Sequence, residues 1–264
     1  TDNGGQNTDQ SPNTVTFNVT PVADSLAYPG EIAVAVGPSY VFTLPNSANG
    51  DTSYTDPATG ITVSTASGTL SGNNGLGIAI NSNNGDNDGN RIETGENLDF
   101  SFPADTSIHS VAMGLKNTAQ ETVQITSHLD STGVSASSIS LNGALSINGN
   151  GISSSTFQVQ LTVTGSSGSV STIATLNSNG AWSISSFDAS AVGTISDMSL
   201  KASIDGDLFN NGGDLFNFTT NTAINSMSIT NGSLYGTKDG FQVDFLSFAP
   251  STSATGYTYP IEIS

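Results

Sequence analysis

From Tyr28 onward the chain runs in short segments that alternate apolar and polar residues, each closed by Gly, Asn or Ser. Tyr40-Val41-Phe42-Thr43-Leu44, Leu98-Asp99-Phe100-Ser101-Phe102, Thr122-Val123-Gln124-Ile125 and Phe157-Gln158-Val159-Gln160-Leu161-Thr162-Val163 show the pattern. Successive side chains of a strand point to opposite faces, so a period of two buries one face and wets the other. Similar runs follow at Gly60 to Val63, Ser110 to Leu115, Thr172 to Leu176, Ala181 to Ile184, Met198 to Ala202, Ala223 to Ile229, Phe241 to Phe245 and Tyr259 to Ile263. No run carries a convincing helical period. Many short strands with turn residues between them predict an all-β fold, an antiparallel β-sandwich. Hydrophobic residues are 35% of the chain and 29 glycines add to them, a level ordinary for a folded core.

The charge balance excludes two partner classes. Against 22 Asp and Glu stand 4 Lys and Arg, a formal net charge of -18. Arg91, Lys116, Lys201 and Lys238 are scattered singly, so no basic run can release counterions from a phosphate backbone or hold anionic lipid. Apolar stretches such as Ile32 to Val36 fall far short of the roughly 18 residues that insert into a bilayer. With no cysteine, a disulfide framework, thiolate metal sites and a thiol nucleophile are all excluded. Thr1 is not an initiator Met and no leader pattern follows, so the sequence reads as part of a longer chain.

Two regions are expected. Residues 1–24 combine a polar lead, Thr1 to Ser11, with one alternating strand, Thr14 to Thr20, closed by Pro21-Val22-Ala23-Asp24. A lone strand cannot bury itself, so it either joins the following sheet or, the preferred reading, ends an upstream domain. Residues 25–264 read as one β-sandwich domain with a Ser/Asn/Gly-rich insertion over 131–197. Its first part, Ser131 to Ser155, is expected to be a surface excursion.

The densest polar cluster spans Asn81 to Glu96. Within it Asp86, Asp88 and Asn90 alternate as D-x-D-x-N, which aims oxygen ligands at one hard cation, and Glu93 or Glu96 could close the shell. The loop is not an EF-hand, because the sixth and twelfth positions hold Arg91 and Asn97 instead of Gly and Glu. Few cations are present to neutralise these carboxylates, which favours calcium over a solvated acidic turn. Asp205, Asp207 and Asp214 form a second candidate set for calcium, in a Gly/Asn-rich stretch that lacks the recurring nonapeptide of a β-roll. Asp24 could hold a calcium at a junction between domains, while Asp239 and Asp244 are weaker candidates.

Catalysis finds little support in the residues. His109 and His128 fall beside strand residues, and no Gly-x-Ser-x-Gly elbow supplies an activated serine. Trp182 shares parity with Ile184 in Asn179-Gly180-Ala181-Trp182-Ser183-Ile184, which points to core packing in preference to a sugar-stacking platform. Tyr235, Tyr257 and Tyr259 follow loop residues and are candidates for a recognition surface. Asp239, Tyr235 and Tyr257 are the ligand-binding candidates.

The segment Val15-Thr16-Phe17-Asn18-Val19-Thr20-Pro21-Val22-Ala23-Asp24 resembles the closing strand and linker of the tandem cadherin-like or bacterial Ig-like repeats in large type I-secreted RTX adhesins of Gram-negative bacteria. Gly72-Asn73-Asn74-Gly75-Leu76-Gly77-Ile78, then Ile92-Glu93-Thr94-Gly95-Glu96-Asn97-Leu98-Asp99-Phe100-Ser101-Phe102, is similar to a pattern in the non-repetitive ligand-binding domains of those adhesins. Phe241-Gln242-Val243-Asp244-Phe245-Leu246-Ser247-Phe248-Ala249-Pro250 resembles their late strand, and Asn179-Gly180-Ala181-Trp182-Ser183 the Gly-x-Trp strand start of bacterial Ig-like repeats. The resemblance implies a calcium-stabilised, jelly-roll-like β-sandwich displayed on the bacterial cell surface. It implies a monomeric module within a longer chain, without enzymatic activity, that binds a peptide or protein on a target surface and promotes adhesion and biofilm formation. The alternatives are a carbohydrate-binding module of the same adhesin class, or a structural spacer with calcium as its only ligand.

Overall fold

The structure is a computed structural model and describes residues 40–72, 79–81, 91–103, 106–116, 121–147, 150–151, 157–205, 214–232 and 240–250. All of them belong to the unit Ile32–Ser264, and residues 1–24 lie outside them. Among the described residues strand predominates, and helix is limited to two single 3-10 turns, Asn46–Ala48 and Ser190–Val192. In chain order the strands are β1 (Tyr40–Phe42), β2 (Ser53–Thr55), β3 (Thr62–Ser64), β4 (Thr69–Ser71), β5 (Ala79–Asn81), β6 (Asn97–Ser101), β7 (Ile108–Lys116), β8 (Thr122–Leu129) and β9 (Ile139–Ile147). They continue with β10 (Asn150–Gly151), β11 (Phe157–Gly165), β12 (Gly168–Ile173), β13 (Thr175–Leu176), β14 (Ala181–Phe187), β15 (Ile195–Asp205), β16 (Asp214–Asn231) and β17 (Gln242–Pro250).

β16, at 18 residues, organises the rest. Its first part pairs with β7 and β9 in registers Phe216↔Met113 and Phe216↔Ile147. Its last part pairs with β6 and β8 in registers Ile229↔Leu98 and Ile229↔Ile125. The register breaks between Thr219 and Ile224, where the polar run Thr219-Thr220-Asn221-Thr222 offers no alternating apolar face to hold a straight ladder. Two antiparallel sheets therefore share one strand. One runs β1-β17-β7-β16-β9-β14-β13, and the other β2-β3-β6-β16-β8-β15-β11-β12.

Rings from the two sheets meet in the core, which makes this a β-sandwich. Phe100 of β6 lies 5.7 Å from Phe248 of β17 and 5.6 Å, edge-on, from Phe42 of β1. Phe157 of β11 stacks 6.4 Å from Phe216. Each such pair adds about 0.5–1.5 kcal/mol beyond the area it buries. Burial follows the alternation closely: β8 reads half-buried then buried four times over, and its inward residues are Val123, Ile125, Ser127 and Leu129.

The insertion over 131–197 belongs to the sandwich. Ile139, Leu141, Leu145 and Ile147 are buried on β9, so the expected surface excursion from Ser131 to Ser155 is replaced, over Ile139–Ile147, by a core strand. Its alternation is disguised because Gly143 occupies an inward position. Trp182 of β14 pairs with Gly143, crosses β9 there, and stacks on Phe218 of β16 at 5.8 Å and 3°. A Cβ on Gly143 would strike the Thr219 carbonyl and the indole, so only glycine admits this ring. Trp182 is thus a core residue, as its parity indicated.

Candidate functional site

The sequence cluster around Glu93 and Glu96 folds as a tight turn. The Glu96 N–H donates to the Glu93 carbonyl at 3.0 Å, and Gly95, at φ +87°, takes the position that needs a left-handed backbone. The Glu96 side chain then curls back, and its Oε2 accepts the Glu93 N–H at 2.9 Å. Ile92 anchors the turn by exchanging backbone bonds with Phe241, at 2.7 Å and 3.3 Å. Gly240 allows this approach, since a Cβ there would stand 2.7 Å from the Ile92 oxygen. On the other side Thr94 bridges Asn231 at the end of β16.

Two residues not singled out by sequence complete the neighbourhood. Glu121, just before β8, is 2% exposed, and its Oε2 accepts from Asn231 Nδ2 at 2.5 Å. The same Nδ2 reaches the Ile92 carbonyl at 3.3 Å. Glu93, Glu96, Glu121 and Asn231 are all buried at the end where β6 begins, β8 begins and β16 ends. Neither Glu121 nor Asn231 could be read from local pattern, because each is buried only by long-range pairing.

Within this group Glu96 Oε1 stands out. It is buried and meets no hydrogen-bond partner among the described residues. A buried acceptor left without a partner costs about 1–3 kcal/mol, and more when charged. Carboxylate and carbonyl oxygens are the donor set that a hard cation takes, so the residues fit calcium chemically. Among the described residues, however, no three acidic or imidazole groups are arranged to hold a metal ion. Glu93 and Glu96 are brought together; Asp86, Asp88, Asn90 and Asp207 lie outside the described residues.

The strand registers gather the remaining candidates on the same rim. Asp205, exposed, pairs with Thr122, the residue after Glu121. Asp214 starts β16 opposite Leu115, next to the start of β17 where Gln242 pairs with Lys116. The Ile92–Phe241 and Thr94–Asn231 bridges join these two sheet ends. Arg91, Asp205, Asp214, Gly232 and Gly240, which flank segments 82–90, 206–213 and 233–239, therefore all stand at one end of the sandwich. Those segments carry Asp86, Asp88, Asn90, Asp207, Tyr235 and Asp239. Asp24, Tyr257 and Tyr259 are, like them, outside the described residues, while Asp244 sits on β17.

Both histidines are strand residues. His128 Nδ1 lies 2.9 Å from Asp197 Oδ1 on an exposed face. His109 Nδ1 lies 3.0 Å from the Thr220 carbonyl, at the opposite end of the sandwich. Compared with known proteins, the chain matches no family model, no curated protein and no solved structure.

Proposed function

We propose that this chain is a calcium-dependent ligand-binding module of a large bacterial surface adhesin, secreted by the type I route, that grips a peptide or protein on a target surface in adhesion and biofilm formation. The observation that carries the reading is the orphaned, buried Glu96 Oε1, on a rim where the topology also collects Glu93, Glu121 and the flanks of the acidic loops. Loops at one end of a sandwich are where such folds place recognition. Glu93 and Glu96, with Asp86, Asp88 and Asn90 from the adjoining segment, would hold the ion. Asp205, Asp207 and Asp214 are the candidates for a further one, and Asp239, Tyr235 and Tyr257 are the candidates for contact with the ligand. The ion supplies a local positive field on a chain of net charge -18, so that a ligand carboxylate is attracted where the bare chain would repel it.

Thermal melting in calcium and then in EDTA is the test. A ligand that binds only the folded state stabilises it, by about 2.7 kcal/mol at a hundredfold excess over Kd, and so raises the midpoint; an unchanged midpoint would sink the metal reading. The calcium-loaded protein should then bind peptides with a free C-terminal carboxylate. Binding on a glycan array instead would replace the peptide by a sugar, and no binding in either screen would leave a spacer.

A further inference from the structure

The opposite rim carries a different chemistry. Just before β7 the Thr106 N–H and hydroxyl both donate to the Pro103 carbonyl, at 3.0 and 2.6 Å. Ser107 follows with φ +36°, one of only two described non-glycine residues with a left-handed backbone. A β-carbon in that region costs roughly 1–2 kcal/mol, a strain that persists only where the surroundings hold it. Ser107 is exposed, and the bent backbone turns its hydroxyl toward His109 two residues on, with Oγ 3.3 Å from Nε2.

The other ring nitrogen fixes which partner donates. His109 Nδ1 faces the Thr220 carbonyl oxygen at 3.0 Å, and a carbonyl can only accept. In the neutral ring Nδ1 therefore carries the proton, and Nε2 presents its lone pair to the Ser107 hydroxyl. The Thr220 carbonyl is itself held in place. It lies where β16 passes from one sheet to the other, and Thr220 is 5% exposed at that bend. A nucleophile in reach of a base, with the base oriented by a third group, is the arrangement that activates a serine for acyl transfer.

We propose that Ser107 is a nucleophile, His109 its general base and the Thr220 carbonyl the group that positions the base, together hydrolysing activated esters. The Ser107 Oγ–H proton passes to His109 Nε2 as Oγ attacks the ester carbonyl carbon. The carbon–oxygen bond to the leaving alcohol breaks, and that oxygen takes the proton from Nε2. Water then attacks the acyl-serine, giving its proton to Nε2, and the released Ser107 oxygen recovers it as the carboxylic acid departs. Throughout, Nδ1–H stays on the Thr220 carbonyl, whose dipole steadies the transient imidazolium. A carbonyl does this less strongly than a carboxylate, which limits the substrate class to esters with good leaving groups.

The intact 264-residue protein would be treated with a fluorophosphonate probe and, separately, with p-nitrophenyl acetate. One adduct per chain is expected, mapped to Ser107 by peptide mass spectrometry. Ser107→Gly keeps the left-handed backbone while removing Oγ, so it should abolish the adduct and leave the melting temperature equal or higher. His109→Gln should slow labelling about 10²–10⁴-fold, the usual contribution of a general base. His128→Gln, on the other histidine, should label at the wild-type rate. An adduct that survives Ser107→Gly, labelling of His109→Gln at the wild-type rate, or Ser107 reacting no faster than the exposed Ser101 and Ser171 would each overturn the assignment.

Discussion

At Glu96 a carboxylate sits out of water with Oε2 bonded to the Glu93 N–H and Oε1 bonded to no described residue, so its effect on stability has opposite signs with and without a cation. Without one, the charge is a cost. Glu96→Gln keeps an oxygen for the Glu93 N–H and removes the charge, and in EDTA it should stabilise by about 1 kcal/mol, or about 2–4 °C in melting temperature. In calcium the same variant should lose the metal-dependent rise that the wild type shows. A Glu96→Gln protein that melts lower in EDTA and still gains fully from calcium would show that Oε1 has another partner. Gly143 makes the second residue-scale argument. Gly143→Ala would drive a methyl into the Thr219 carbonyl, which cannot withdraw without breaking the β9–β16 ladder, and into the Trp182 indole, which cannot withdraw without losing its stack on Phe218. It should cost about 1–3 kcal/mol or more, read as a lower denaturation midpoint. The turn chemistry of Glu93-Thr94-Gly95-Glu96 was legible locally, since the Gly position and acidic spacing are written side by side. The burial of Glu121 and Asn231 was not, because it comes from residues more than a hundred positions apart in contact.

Among the elements, β16 couples the two sheets, and its character explains what the pattern hid. Only Ala223 to Ile229 read as a strand, because the preceding Thr219-Thr220-Asn221-Thr222 breaks the alternation just where the strand changes sheet. Upstream of the break, Phe216 and Phe218 keep the period and are fully buried, but Leu215, on the outward side, is exposed and blurs it. Since one strand serves both sheets, neither can melt alone. Phe218→Ala, which removes the ring beneath Trp182, should cost about 3–5 kcal/mol. Trp182 is the only tryptophan, so its fluorescence reports one sheet while far-UV circular dichroism reports both. The two signals should change together at one midpoint in wild type and variant alike, and separate midpoints would show sheets that fold independently. The turns between strands are held by short-range carboxylate caps. The Thr132 hydroxyl and N–H hold the Asp130 carboxyl below the ordinary carboxylate range, and the Ser190 hydroxyl and N–H do the same for Asp188. Because these folded values are depressed, the stability they contribute is complete above about pH 4 and is lost as acid protonates them below it.

For the whole molecule, the alternation of apolar and polar residues was enough to read an all-β sandwich, yet it carries no information about which strand ends meet. Pairing alone brings Asp205 beside Thr122 and Ile92 beside Phe241, and so sets Glu93, Glu96, Glu121 and Asp205 on one rim. Such a rim is disfavoured by its own repulsion, and with 22 acids against 4 bases the molecule as a whole shares that burden. Simple screening and specific binding both relieve repulsion, but they differ in what they require. In EDTA, raising sodium chloride from 0.1 M to 1 M shortens the Debye length from about 10 Å to about 3 Å and should raise the melting temperature of wild type and Glu96→Gln equally. Millimolar calcium at fixed ionic strength should add a further rise in wild type that Glu96→Gln lacks, and Asp86→Asn with Asp88→Asn should lower calcium affinity. Magnesium at the same concentration should not reproduce it, because its smaller, rigid octahedral shell dehydrates reluctantly and suits a multi-carboxylate loop poorly. Equal gains from calcium and magnesium in every variant would reduce the effect to screening, and the acidic rim to a solvated end of the sandwich.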